Sequence, residues 1–358
     1  MKGNVEIGLS SDALFGVLDR NTSVTVQPPI VPCQPPPGCE YDPLDNFGGA
    51  GGYGGAGGES GGVDVVAQSV VGPYETVTLH STDPNALADW LSSHGYVIQA
   101  DFAPVVSAYV NEGFDFVALK LVPGKGIKAM RPVRVTTPGA GVGLPLRMVA
   151  GGTGARTPIT LWIFGEGRYQ PANFETQTIT EQDLVWDFAS SSSNYATLRQ
   201  GIYDKGDWLV ETSYQMYPGI ITEQIVAIMQ DDPVASGYGD AEGNGAYPEF
   251  EADSDRLWGS IQGPLWHTRV SANLPRASLA DDLVIGASAD QNWISGDLRA
   301  KTGINMPPCT SYTCNDGDSA TVGSSKGCTV GSASERSAAY AAVVAGLGLL
   351  LMRRRRPR

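Results

Sequence analysis

The sharpest chemical pattern in the sequence lies around residue 245. Asp240, Glu242 and Asn244 offer side-chain oxygens at loop positions 1, 3 and 5, Gly245 takes position 6, and Glu251 takes position 12. That is the register of a calcium loop, where oxygen ligands surround a hard cation and glycine permits the sharp turn. Two features oppose it. Pro248 occupies position 9, and Pro233 and Gly237 interrupt any helix running into Asp240. The alternative is a solvated acidic loop. Calcium is thus the only cofactor the sequence raises.

The three histidines, His80, His94 and His267, lie far from one another and from every cysteine, outside metal-ligand spacing. His94 ends a helix, where a cation suits the dipole. There is no HExxH and no SxxK. A serine triad needs nucleophile, base and orienter to meet in space. His80 or His267 could serve as base, but spacing alone does not bring them to a serine. No catalytic residue is assigned.

The cysteines are more informative. Cys33 and Cys39 flank QPPPG, and Cys309 and Cys314 flank TSYT. Neither pair has the CxxC spacing of a zinc or redox site. In an oxidising compartment each would close a small local disulfide loop; otherwise these are free thiols in loops. Cys328 is left over.

Residues 338–352 read AAYAAVVAGLGLLLM, fifteen residues without a charge, followed by Arg353, Arg354, Arg355 and Arg356. The run is short of the ~20 residues that span a bilayer comfortably. Its arginines hold that end in the cytoplasm, which places the body outside. Such a protein needs an export signal, yet MKGNVEIGLSSDALFG contains no apolar core of one. The expectation is an upstream extension that encodes a signal peptide and additional strands. The order Gly327-Cys328-Thr329, polar stretch, apolar run and Arg cluster resembles the MYXO-CTERM sorting tail of myxobacteria and relatives. The resemblance implies cleavage near Cys328 by a sorting protease and anchoring at the cell surface. An ordinary short membrane anchor would give nearly the same location.

Composition agrees with export and excludes one partner class. The net charge is −14, and residues 328–358 carry six Arg and one Glu, which leaves −19 on residues 1–327. An acidic body repels phosphate backbones, so nucleic acid is not a partner. At 42% hydrophobic residues the chain can bury a core, while 45 Gly and 24 Pro favour turns and strands over long helices.

The elements that must position these residues divide the chain as follows. Residues 1–31 form the N-terminal part of a truncated domain, with Ser10, Ser11 and Asp12 capping a helix that carries Leu14, Phe15 and Leu18. Residues 32–62 are a Pro/Gly-rich insertion or linker, with ten glycines in 48–62. Residues 63–300 form an α+β body with a mostly antiparallel sheet. VDVVAQSVVG, YETVTLH, FDFVALKLV, RPVRVTT, LPLRMVAG and ITLWIFG read as strands. Asp83 caps a helix starting at Pro84 and stopped by Gly95, with Leu87, Trp90 and Leu91 on one face. A second helix covers 103–111 with Val106 and Tyr109 or Val110 inward. Residues 301–335 read as a Ser/Thr/Gly/Cys-rich stalk, and 336–358 as the hydrophobic, Arg-terminated tail.

Val71-Gly72-Pro73-Tyr74-Glu75, the run Asp83–Leu91, Gly95-Tyr96 and the run Gly113–Leu121 resemble the bacterial domain of unknown function 2330. Pro145-Leu146-Arg147 and Arg168–Phe174 look similar too, so the likeness covers roughly 1–230. It implies an exported protein and carries no activity. This chain departs from the pattern in lacking the export signal and first strands. The resulting expectation is an exported, surface-anchored binding or envelope module without catalysis. The rival is an exported hydrolase with scattered catalytic residues. A deep pocket joining His80 or His267 to a Ser or Asp would favour the rival.

Overall fold

The computed structural model describes residues 5–30, 39–41, 67–96, 102–139, 143–259, 261, 263–306 and 312–314. The chain divides into two compact units, one of residues 1–32 with 45–309 and the other of 33–44 with 310–358. The sorting-tail residues Cys328 and Arg353 to Arg356 lie outside the described residues, as does the expected C-terminal hydrophobic helix.

The larger unit is α+β, with seven helices and several mostly antiparallel sheets among the described residues. Its centre is a four-stranded sheet in the order Thr176–Gln177, Trp208–Met216, Leu265–Pro275, Arg156–Gly165. The first pair is parallel and the other two antiparallel. The strand Trp208–Met216 is buried along nearly its whole length because both faces are covered. One face carries Trp208, Val210, Val270, Ala272 and Leu274. Elsewhere Met216 packs with Leu14, Val17 and Leu18 of helix α1 (Asp12–Thr22) and with Ile221, Ile225 and Met229, contributed by a later helix.

A separate three-stranded antiparallel sheet runs Ala67–Val71, Tyr74–Leu79, Phe116–Leu121. Helices α2 (Pro84–Ser93) and α3 (Ala103–Asn111) contribute to the same core. Asp83 caps α2 by accepting from the Asn85 N–H, and Gly95 turns the chain out of it at φ +80°. Leu87 and Leu91 are fully buried, each stabilising by about 1.5–3 kcal/mol. Trp90 is only partly buried, stacked on His94. All three inward candidates on α3, Val106, Tyr109 and Val110, are buried.

The segment LPLRMVAG departs from its expected strand: only Gly143–Leu144 pairs as one, and Leu146–Gly152 forms helix α4. Leu144, Leu146 and Met148 alternate as a strand would, but a short apolar run fits either state. Here Leu146 and Val149 pack on the central core, and the Arg147 N–H bonds Asp282. Helices α5 (Tyr195–Lys205), α6 (Pro218–Asp231) and α7 (Ala246–Trp258) complete the unit. The N-terminal strand Glu6–Leu9 pairs with Val133–Thr136, and Thr25–Gln27 pairs in parallel with Asp297–Arg299. The first and last described parts of this unit are thereby joined.

In the smaller unit the strands Cys39–Tyr41 and Tyr312–Cys314 pair antiparallel.

Candidate functional site

His80 and Asp115 meet at the end of the three-stranded sheet. Leu79 pairs with Phe116, so the next residue on each strand, His80 and Asp115, comes into line. His80 Nδ1 lies 2.7 Å from Asp115 Oδ1, with the histidine side chain 41% exposed and the aspartate 17%. A carboxylate on Nδ1 fixes the ring and turns Nε2 outward, as base and orienter stand in a hydrolase. Among the described residues no serine or cysteine is hydrogen-bonded to the His80 ring. The adjacent Ser81 hydroxyl donates to the Asp83 carbonyl and accepts from its N–H, closing the turn into α2.

His267 occupies the opposite setting. It sits on the strand Leu265–Pro275 with no exposure, beside the rings of Phe164 and Tyr214. Neither ring nitrogen finds a hydrogen-bond partner among the described residues. Burial, with a smaller push from Arg269, lowers its pKa to about 4. At neutral pH it is an uncharged packing group.

The central sheet also buries a charged cluster. Between Val210 and Thr212 the register with Leu265–Pro275 slips, so Glu211 sits at a bulge. Its carboxylate accepts from the Ser271 hydroxyl and forms an ion pair with Arg269, whose Nε lies 2.9 Å away. Tyr203 donates to Ser271 at 2.8 Å, and Arg269 also reaches Asp19 on α1 at 2.7 Å. A serine hydrogen-bonded to a carboxylate looks like an activated nucleophile. Here Ser271 is 3% and Glu211 6% exposed, so a substrate has no approach. The cluster joins α1 and α5 to the sheet.

The acidic loop folds onto itself. Asp240 accepts from the backbone N–H groups of Glu242 and Asn244, and its two oxygens hold the Asn244 side-chain amide at 3.2 and 3.0 Å. Those bonds, from Asn244 first, hold its carboxyl below the usual value. Glu251 lies on α7, exposed. Among the described residues no group of three or more His, Cys, Asp or Glu could hold a metal ion. The carboxylate that does turn inward is Asp253, two residues on. It is 1% exposed and accepts from Ser10 (2.7 Å), Tyr238 (2.8 Å) and Arg134. Burial first, and then the Asp253 charge, raise the Tyr238 pKa. Arg131 beside it reaches Glu249 at 3.0 Å and the carbonyl of Ser10 at 3.1 Å. The contacts of Asp253 and Glu249 dock α7 against the N-terminal segment.

Two arginines of the family-like segments are also internal ties. Arg147 grips Glu112 with both guanidinium nitrogens and Asp282 at 2.7 Å, and stacks 4.2 Å from the Tyr109 ring. Burial alone would raise the Asp282 carboxyl. Hydrogen bonds from Arg147 and Tyr109 hold it below its ordinary value. Arg168, 6% exposed, bonds Asp290 and Gln170.

Of the described residues singled out in sequence, His80 gains a carboxylate partner fit for chemistry. Asp115, Glu211 and Asp253 were not anticipated. Asp115 could have been found by aligning the ends of YETVTLH and FDFVALKLV. Glu211 carries one signal, a lone carboxylate inside the apolar strand WLVETSYQM.

Comparison with curated proteins and with solved structures returns no match. The model of one family matches residues 4–226, well over half the chain. The chain belongs to DUF2330, a family described as an uncharacterized protein conserved in bacteria.

Proposed function

We propose that this protein is exported and held at the envelope of a Gram-negative bacterium, where its α+β body serves as a non-enzymatic binding or envelope module. The order of Cys328, a charge-free run at 338–352 and four consecutive arginines carries the reading. Fifteen helical residues reach about 23 Å, short of a ~30 Å hydrocarbon core. That suits a transient hold in the inner membrane better than a permanent span. The arginines stop translocation, and the polar stretch around Cys328 stays accessible to a sorting protease. Among the described residues no helix is long and apolar enough to cross a membrane. The use of Glu211, Asp253, Asp282 and Arg147 in internal ion pairs supports a body without catalysis.

Replacing Cys328 by Ala tests the tail. The variant is expected to keep residues 329–358 and remain in the inner membrane. If it reaches the surface with normal mature mass, Cys328 has no sorting role and the tail is a plain anchor.

The His80–Asp115 pair favours a second reading, an exported hydrolase whose nucleophile comes from elsewhere. Ester, peptide and glycoside substrates offered to the wild type and to His80→Ala discriminate the two. Turnover that vanishes with His80 would establish the hydrolase.

A further inference from the structure

The smaller unit holds a pairing that the cysteine spacing does not suggest. Strands Cys39–Tyr41 and Tyr312–Cys314 run antiparallel with Tyr41 opposite Tyr312, Glu40 opposite Thr313, and Cys39 opposite Cys314. The two cysteines are 275 positions apart in the chain. A two-stranded ribbon of three residues per strand is marginal in water. Closing so long a loop adds an entropic cost, which such a short ladder offsets poorly. Residues directly opposed in an antiparallel pair have Cα atoms about 4.5–5.5 Å apart. That falls inside the ~4.4–6.8 Å a disulfide requires.

We infer that Cys39 and Cys314 are joined by a disulfide that fastens the Pro/Gly-rich insertion to the base of the tail. This pairing displaces the local loops Cys33–Cys39 and Cys309–Cys314, because Cys39 and Cys314 can each form only one bond. Residues 45–309 then lie inside the covalent loop and residues 315–358 outside it. The chemistry is thiol–disulfide exchange with a small-molecule or protein disulfide. The thiolate of one cysteine attacks the oxidant's disulfide and forms a mixed disulfide. The thiolate of the other attacks the protein-side sulfur of the mixed disulfide, and the oxidant leaves as two thiol groups that carry the two protons given up by the cysteines. Formation in the cell rests on the export proposed above; the choice of partners does not.

Trypsin reads the connectivity directly. No Lys or Arg lies between Arg20 and Lys120 or between Lys301 and Lys326, so Cys33 and Cys39 fall in peptide 21–120 and Cys309 and Cys314 in peptide 302–326. The purified full chain is oxidised in a glutathione redox buffer, digested without reductant and weighed. The two peptides are expected as one linked mass that separates with dithiothreitol. In Cys33→Ser/Cys309→Ser the link should persist, and adding Cys314→Ser should abolish it. Separate peptides, each with an internal disulfide, overturn the inference. So do free thiols after oxidation, or a link lost in the double variant. Chain recovered from its own cells, with thiols alkylated at lysis, separates the two proposals. Free thiols there, with the link forming in buffer, would sink export and keep the pairing. Local loops in surface-located protein would sink the pairing and keep export.

Discussion

The interior of the body and the end of its three-stranded sheet treat ionisable groups in opposite ways. Inside, His267 is packed among aromatic rings with no hydrogen bond among the described residues, and Glu211 and Asp253 accept hydrogen bonds from their own chain. At the sheet end, His80 is half exposed and makes a single carboxylate contact. A charge in the interior must be neutralised where it stands, so its partners are fixed by folding and none is left for a ligand. His80, with 41% of its side chain exposed, is open to solvent at the sheet end.

Replacing Asp253 by Ala should produce the largest effect, about 3–5 kcal/mol of lost stability in chemical denaturation. The change strips Arg134, Tyr238 and Ser10 of a shared acceptor and leaves a largely buried guanidinium with the Leu9 carbonyl at 3.4 Å and Glu6 at 4.0 Å as its partners among the described residues. A loss below about 1 kcal/mol would break the comparison.

Next comes the pH response of His267. Its folded pKa of about 4 lies below the ordinary value of 6.5. Above pH 6.5 both states are neutral and the ring adds no pH dependence. As pH falls from 6.5 to 4 the unfolded chain takes up a proton that the folded chain refuses. Stability then drops by about 1.4 kcal/mol per pH unit, roughly 3 kcal/mol in all. His267→Leu should remove that part of the acid sensitivity and cost little at pH 7, since no hydrogen bond is lost. Denaturation curves of both proteins at pH 7 and 4.5 check this. Parallel losses in the two would show that His267 is not sealed.

The smallest effect belongs to the surface pair. His80→Ala and Asp115→Asn should each change stability by less than about 1 kcal/mol. A larger loss would place the pair among the structural ties.

How much of this was legible in the sequence differs by element. Asp83-Pro84 and Gly95 spell out the ends of α2, and Ser11 spells out the start of α1, because caps are local hydrogen-bonding devices. FDFVALKLV reads as a strand, and in Phe116–Leu121 the fold buries Phe116 and Ala118 while Val117 and Leu119 share the other, half-buried face. Helix α4 was misread because tertiary contacts, not its short apolar run, decide its state. The pairings of Glu211 with Ser271 and of Asp253 with Ser10 span 60 and 243 residues, and no local spacing announces them. The acidic loop matched a calcium register by residue type. The fold turns Asp240 onto Asn244 and directs Asp253, outside the register, into the interior.

The central claim is location and processing, and one measurement addresses it most directly. Protein produced from its own gene is fractionated into cytoplasm, inner membrane and cell surface, and the intact mass is taken in each fraction. The account predicts surface protein that ends near Cys328 and lacks the apolar run and its arginines. Full-length protein with an intact C-terminus, confined to the cytoplasm, would contradict it.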